Sequence, residues 1–176
     1  GEILSVGFDM YVRLLDEAIA ELSDEDQDEA PEVYLELDYS GYIPDRFIKE
    51  PVEKMEIYKK IASITSAEEL EGVFAELMDR FGPLPEEVQS LMSLAEIRIL
   101  CKRLRISSLK ERRGDVEVEF SRIADIAIDK AMRLIKESRG TVKPDPKHPN
   151  ILRLKVGKIG LAEKSEFLRE KLESLL

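Results

Sequence analysis

The organisation of this chain is clearest in residues 66–85, SAEELEGVFAELMDRFGPLP, which carry the signals for one helix and for both of its ends. Ser66 followed by Glu69 has the Ser-x-x-Glu spacing of a capping box, in which two residues satisfy free backbone N–H groups at a helix N-terminus. Gly82 and Pro83 end a helix, because glycine adopts the left-handed conformation and proline cannot continue the hydrogen-bond ladder. These signals predict a helix between them.

Apolar side chains recur along this helix at intervals of three and four residues, the spacing of an amphipathic helix. The members of this apolar stripe are Leu70, Val73, Phe74, Leu77, Met78 and Phe81. On a wheel of about 100° per residue, the most tightly clustered are Leu70, Phe74, Leu77 and Phe81. We therefore expect that side of the helix to face the core.

The other side of the helix carries an acidic line with a glycine in it: Glu69, Gly72, Glu76 and Asp79. A solvated surface is the ordinary interpretation of such a line. Gly72, however, costs roughly 1 kcal/mol relative to alanine in a helix interior, and close approach by another backbone is one reason to keep it. Asp79 and Arg80 also lie beside a rigid helix end. We call Glu69, Gly72, Glu76, Asp79 and Arg80 together the acidic edge. Capping would occupy Glu69, so Glu76 and Asp79 are the stronger candidates to bind a basic partner.

Similar signals predict the other elements. We expect a strand at 33–37, a hairpin at 106–120 around Arg113-Gly114-Asp115, strands at 141–143 and 151–156, and helices at 51–64, 86–105, 123–138 and 161–176. In the helix at 123–138 we expect Ile123, Ala127, Ala131, Leu134 and Ile135 to face inward. The predicted fold class is mixed α/β (α+β): several amphipathic helices packed with a small sheet and preceded by a separate N-terminal helix.

The net charge of −10 over 176 residues belongs to one end of the chain. Residues 1–32 contain eleven carboxylates and one base, whereas the remainder is balanced. Helical apolar spacing at 7–22 is followed by the strongly acidic 23–32, which has the composition of a solvated linker. We therefore predict an N-terminal helix with an acidic linker at 1–32 and one α/β domain at 33–176.

The motifs of common enzyme classes are missing from the sequence. It contains no phosphate-binding Gly-x-x-x-x-Gly-Lys-Ser/Thr loop, and one histidine with one cysteine cannot form a multi-histidine metal site or an internal disulfide. We expect Cys101 to be a buried, inert thiol and His148 to lie on a surface loop. The sequence predicts a non-catalytic domain without metal or cofactor, with neither a transmembrane helix nor a signal peptide.

A basic stretch between residues 98 and 113 has seven bases and one acid. Arg98, Lys102 and Arg105 are candidate contacts to nucleic-acid phosphates. No aromatic side chains are interleaved for base stacking, so a salt-bridged protein surface is the favoured interpretation.

Several motifs together resemble one family, the bacterial transcription-repair coupling factors (Mfd). VGFDMY at 6–11 resembles the segment that follows the last motor motifs of that family, and YKKIAS at 58–63 with ELMDRFGPLP at 76–85 resembles its C-terminal domain. These motifs occur in the family's order along most of the chain.

The resemblance implies a role that composition cannot provide. The family's parent protein is an ATP-driven DNA translocase that acts on stalled RNA polymerase and recruits nucleotide-excision repair through UvrA. Its ATP, magnesium and DNA sites lie in the motor, upstream of the segment represented here. Its C-terminal domain docks on the parent's own UvrB-like module and masks UvrA binding. Carried over, the docking residues are Glu76 and Asp79, and the expected location is the bacterial cytoplasm.

Two other functions remain open at the level of sequence. One is a DNA-contacting accessory domain that uses the basic stretch, and the other is a structural brace for the motor.

Overall fold

The structure, a computed structural model, describes residues 32–38, 41–122, 125–157, 159 and 161–176. In chain order the described elements are β1 (Tyr34–Glu36), α1 (Pro51–Ala62), α2 (Ala67–Phe81), α3 (Glu86–Leu104), β2 (Ile106–Arg112), β3 (Asp115–Phe120), α4 (Ile128–Glu137), β4 (Val142–Pro144), β5 (Ile151–Lys155) and α5 (Leu161–Glu173). The mixed α+β class is confirmed. The predicted N-terminal helix and all but the last residue of its linker lie outside the described residues.

Five strands form one sheet in the order β1-β2-β3-β5-β4. The β1–β2 pair is parallel and the other pairs are antiparallel. The predicted hairpin is confirmed, and its two-residue turn consists of Arg113 and Gly114, with φ values of 53° and 83°. Two residues with positive φ give the turn that matches the right-handed twist of paired strands. Asp115, which the sequence placed within the turn, is instead the first residue of β3.

The described residues belong to two compact units, one comprising 41–99 and the other 32–38 with 100–176. In the first unit, α1, α2 and the N-terminal part of α3 surround an apolar core. Side chains that are at most 2% exposed in this core are Ile43, Ile48, Ile57, Ile61, Ile64, Leu77, Val88, Leu91 and Ala95. Gly41 is obligatory here, because a Cβ at that position would lie 2.5 Å from the Glu87 carbonyl oxygen.

The second unit contains the sheet. Val116, Val118 and Phe120 of β3 are buried, whereas the residues between them are only half-buried, as expected for a strand with one face on a core. A nearly fully buried ion pair links α5 to β2: Lys164 Nζ lies 2.7 Å from Glu111 Oε1. The other oxygen of Glu111 accepts a hydrogen bond from the Asp38 N–H at 2.8 Å. Glu111 thereby holds three segments of this unit together.

Two predictions about inward-facing side chains are partly wrong. Leu77 is the one fully buried member of the α2 stripe, while Phe74 is 47% and Met78 is 40% exposed. Six residues of this stripe span an arc of about 140° at roughly 100° per residue, wider than the core contact covers.

In the predicted 123–138 helix, Ala131 and Leu134 are buried, but α4 begins only at Ile128. Ala127 is exposed because it precedes the first helical turn, and Ile135 is half-buried. Ile123 lies outside the described residues.

Candidate protein-docking site

The N-terminus of α2 has the predicted Ser66 cap, but the Glu69 side chain accepts from the Thr65 N–H rather than from the Ser66 N–H of a standard capping box. Ser66 Oγ accepts a hydrogen bond from the Glu69 N–H at 3.2 Å, and Glu69 Oε2 accepts one from the Thr65 N–H at 2.8 Å. Glu69 is therefore engaged at the N-terminus of its own helix, as the sequence indicated. At the other end, Gly82 has φ 87° and donates its N–H to the Met78 carbonyl oxygen at 3.1 Å. Both ends of the acidic edge are thus fixed by backbone hydrogen bonds.

Glu76 is held between two cations of its own unit. Lys60 Nζ donates to both carboxylate oxygens at 2.7 and 2.8 Å, and Arg80 Nη1 donates to Oε2 at 2.9 Å. These interactions, with Lys60 contributing most, hold the pKa of Glu76 below its ordinary value. All three side chains are between 33 and 40% exposed, so each pair contributes only about 0–1 kcal/mol to stability. Their main effect is to fix the orientation of the Glu76 carboxylate.

Arg80 is shared among several groups. Its Nη2 lies 3.9 Å from Glu53 Oε1 of α1, and its guanidinium carbon lies 4.8 Å from the centre of the Phe81 ring. Asp79, by contrast, is exposed, and within the described ranges it has no hydrogen-bond or ion-pair partner. Apart from Glu69, which caps the helix, the acidic edge therefore presents one compensated carboxylate, Glu76, and one uncompensated carboxylate, Asp79.

Gly72 lies in an open groove of about 340 Å³ between α1 and α2. Beyond its chain neighbours and the backbone of its own helix, a Cβ built on Gly72 would meet no atom within 4 Å. The described chain therefore gives no steric reason for a glycine here, and the expected close approach of another backbone remains a prediction about a partner. The structure brings Glu69, Gly72 and Glu76 together around this groove, whereas Asp79 and Arg80 lie in the last turn of α2 and are not among its lining residues.

The candidate nucleic-acid contact at Arg98 is wrong. Arg98 is only 6% exposed, and its Nη2 donates to the Ile61 and Ala62 carbonyl oxygens at 3.2 and 3.3 Å. These are the last residues of α1, whose carbonyl groups have no partner within the helix. Arg98 therefore acts as an internal cap. In the second unit, Lys102 and Arg105 are both half-buried.

Cys101 and His148, the two residues considered for catalysis, lie where the sequence placed them: the cysteine is buried and the histidine is in an exposed loop. Cys101 is fully buried, which raises the pKa of its thiol strongly. The His148 ring is 63% exposed, with its Nδ1 3.3 Å from Asp145 Oδ1. Hydrogen bonds from the Lys147 N–H, Arg153 and the His148 N–H lower the pKa of Asp145 to about 2. Asp145 is thus a buried anchor for the loop between β4 and β5.

Within the part of the chain that the structure describes, no group of three histidine, cysteine, aspartate or glutamate side chains is arranged to hold a metal. No helix in the same ranges is long and apolar enough to cross a membrane.

Sequence reasoning missed a second groove, on the opposite side of α2. It is lined by residues of α2, α3 and the segment between them, with Phe74 exposed along it. The excessive width of the apolar stripe was the signal that could have revealed it.

Sequence similarity relates this chain to one protein family. The family described as TRCF domain matches residues 37–131. Transcription-repair-coupling factors of Borreliella burgdorferi and Rickettsia bellii are 38% and 33% identical over 86% and 96% of this chain. The matched segments are only 13% and 15% of those proteins, so the chain spans a small part of its relatives' length.

A solved structure of the C-terminal domain of transcription-repair coupling factor has the same fold. It aligns with 82% of this chain and 92% of its own length, with a TM-score of 0.74 at 22% identity. The family match covers more than half of the chain and includes β2, β3 and all of α1–α3. The chain therefore belongs to the TRCF domain family of the transcription-repair coupling factors.

Proposed function

We propose that this chain is a non-catalytic regulatory domain that docks on the UvrB-like module of its own parent protein and thereby masks UvrA binding. The observation that carries the proposal is the acidic edge of α2, where Glu76 is oriented, Asp79 is uncompensated and Gly72 leaves an adjacent groove open. The parent is a transcription-coupled DNA repair translocase, which reaches RNA polymerase and DNA through its other domains.

The two carboxylates have different roles in this docking. Asp79 supplies an uncompensated negative charge for an arginine of the module. Glu76 already has Lys60 and Arg80 as partners, so an incoming arginine shares a carboxylate whose position is set in advance. Preorganisation of this kind lowers the entropic cost of binding. A difference of about 1.4 kcal/mol between the docked and undocked states changes their ratio tenfold, so a few ion pairs suffice for autoinhibition.

The domain is proposed to act without ATP, metal or other cofactor, because ATP and magnesium belong to the parent's motor. Its proposed location is the bacterial cytoplasm, where the parent meets its DNA and polymerase partners. Purified chain should therefore show no ATP hydrolysis with or without DNA. Turnover that co-elutes with the chain on size exclusion would contradict this assignment.

The decisive test is the double change Glu76→Ala with Asp79→Ala. Binding to the separately produced UvrB-like module, measured by calorimetry, should fall at least tenfold, and in the full-length parent UvrA capture without DNA should rise. The control is Glu163→Ala with Glu166→Ala on α5, which removes the same charge from exposed positions. Equal UvrA capture by the double variant and the unaltered parent, at matched melting temperature, would refute the proposal.

The DNA-binding alternative is weakened by the burial of Arg98, which removes one of its three candidate contacts. Gel-shift measurements at low salt separate the two functions, because phosphate contacts would be strongly salt-dependent. A structural brace, the remaining alternative, predicts that the double change alters the motor's melting temperature and leaves UvrA capture unchanged.

A further inference from the structure

We propose that the groove between α2 and α3 binds an amphipathic helix of a separate protein partner, one that carries arginine or lysine beside its apolar side chains. This groove has a volume of about 550 Å³. Its apolar surface comes from Leu70 and Phe74 of α2, Met92 of α3 and Leu84 between the two helices, and Glu71 and Glu96 also line it. We call it the α2–α3 groove.

The α2–α3 groove is separate from the docking site at the acidic edge. Phe74 and Glu76 are two residues apart, which places them about 200° apart around a helix with roughly 100° per residue. No residue lines both grooves. A ligand in the α2–α3 groove therefore leaves Glu76 with its partners Lys60 and Arg80.

Two large apolar side chains on this side of α2 are exposed to solvent. Phe74 is 47% exposed and Met78, one turn later, is 40% exposed. Covering a phenylalanine ring removes a large apolar area from water, and a methionine such as Met92 adapts its shape to different ligands. A trough between two helices with aligned apolar residues suits a helix that inserts side chains spaced at three and four residues.

Charge decides which helix fits. The first unit, residues 41–99, contains twelve carboxylates and seven bases, and both charged residues that line the groove, Glu71 and Glu96, are carboxylates. Glu71, at the groove, has no partner among the residues that the structure describes. The local field therefore attracts cationic ligands and repels anionic ones.

The same field disfavours two other occupants. The N-terminal segment 1–32 of this chain has eleven carboxylates and one base. A second copy that docked through the same groove would bring its own Glu71 and Glu96 against those of the first. Charge complementarity thus selects a separate basic partner over either of these.

The test uses two stapled helical peptides of about three turns. Both have identical apolar residues at i, i+4 and i+7, one with flanking arginines and the other with flanking glutamates. Binding to the full chain is followed by fluorescence anisotropy, and the site is mapped by NMR of methyl-labelled leucine and methionine. The arginine peptide should bind, lose affinity as salt is added, and shift the methyl signals of Leu70, Leu84 and Met92.

Variants then separate this surface from others. Phe74→Ala and Glu71→Lys should each weaken binding of the arginine peptide at least tenfold. Met55→Ala is the matched control, since Met55 is a similarly exposed apolar residue on α1. Glu76→Ala with Asp79→Ala, which removes two charges outside the groove, should weaken peptide binding less than about twofold, which keeps failure here distinct from failure of the proposed autoinhibition.

Several results would overturn the inference. Equal binding of the two peptides, or no loss with Phe74→Ala, would show that the groove does not select a basic helix. Tighter binding of a peptide of residues 7–22 would identify the chain's own segment as the occupant. Concentration-dependent self-association that Phe74→Ala abolishes would identify a second copy instead.

Discussion

Replacing Gly72 by alanine tests two properties of the acidic edge: the stability of α2 and the affinity for the docking partner. Gly72 lies in the interior of α2 and does not have a positive φ. Beyond its chain neighbours and the backbone of its own helix, no atom lies within 4 Å of the position a Cβ would take. Alanine is favoured over glycine by roughly 1 kcal/mol at such a site, and no steric clash opposes this gain. We expect Gly72→Ala to raise the free energy of unfolding by about 0.5–1 kcal/mol.

For a chain of this size, that gain corresponds to a rise in melting temperature of about 1–4 °C. Circular dichroism during heating measures it directly, and urea denaturation gives the free energy. Binding to the UvrB-like module should become weaker, although the domain itself becomes more stable. A methyl group forced into a tight contact costs about 1–3 kcal/mol, so we expect the dissociation constant to rise at least fivefold.

The control is Ala75→Ser, which adds one atom to an exposed residue of α2 outside the groove. It should leave docking unchanged. If Gly72→Ala stabilises the domain and docks normally, no partner backbone approaches Gly72 and that part of the reasoning fails. If it destabilises the domain, the space beside Gly72 is not open in solution.

Two further predictions concern buried polar groups. Arg98→Ala should lower the free energy of unfolding by about 2–4 kcal/mol, because it removes the buried donor to two carbonyl groups at the end of α1 and leaves a cavity. Of these two carbonyl groups, that of Ile61 keeps a hydrogen bond from the Ile64 N–H. Arg103→Ala, at an exposed position, should change the free energy of unfolding by less than about 0.5 kcal/mol in urea denaturation, and similar values for both variants would contradict the capping role. Because the pKa of Asp145 is lowered from 3.8 to about 2, its ionised form stabilises the fold above pH 3.8 and this stability is lost as the pH falls between those values. Asp145→Asn should remove that part of the acid sensitivity. Unfolding is measured from about pH 5 to 2, which spans the titration of the carboxyl group. An unchanged dependence of the unfolding free energy on pH would refute the assignment.

Much of the local structure follows from short-range rules that operate within a few residues. Ser66 and Glu69 are sufficient to start α2, and Gly82 is sufficient to end it, because the hydrogen bonds involved join neighbours in sequence. The β2–β3 hairpin is predictable for the same reason, since its turn needs only two residues with positive φ. The acidic edge is likewise visible in the sequence, because helical periodicity alone places its residues on one side.

Partnerships between distant residues were decided only by the tertiary structure. Helical spacing alone places Arg80 one turn from Glu76, but only folding brings Lys60 of α1 within 2.7 Å of that carboxylate. The sequence shows Arg98 as one base in a cationic stretch, whereas the packing of α1 in the same unit buries it against the Ile61 carbonyl. Phe74 has the spacing of a core residue, yet it is half exposed because the core contact of α2 is narrower than its apolar arc. Periodicity determines which side chains share a side of a helix, while the width of the surface that another element covers depends on contacts far apart in the chain.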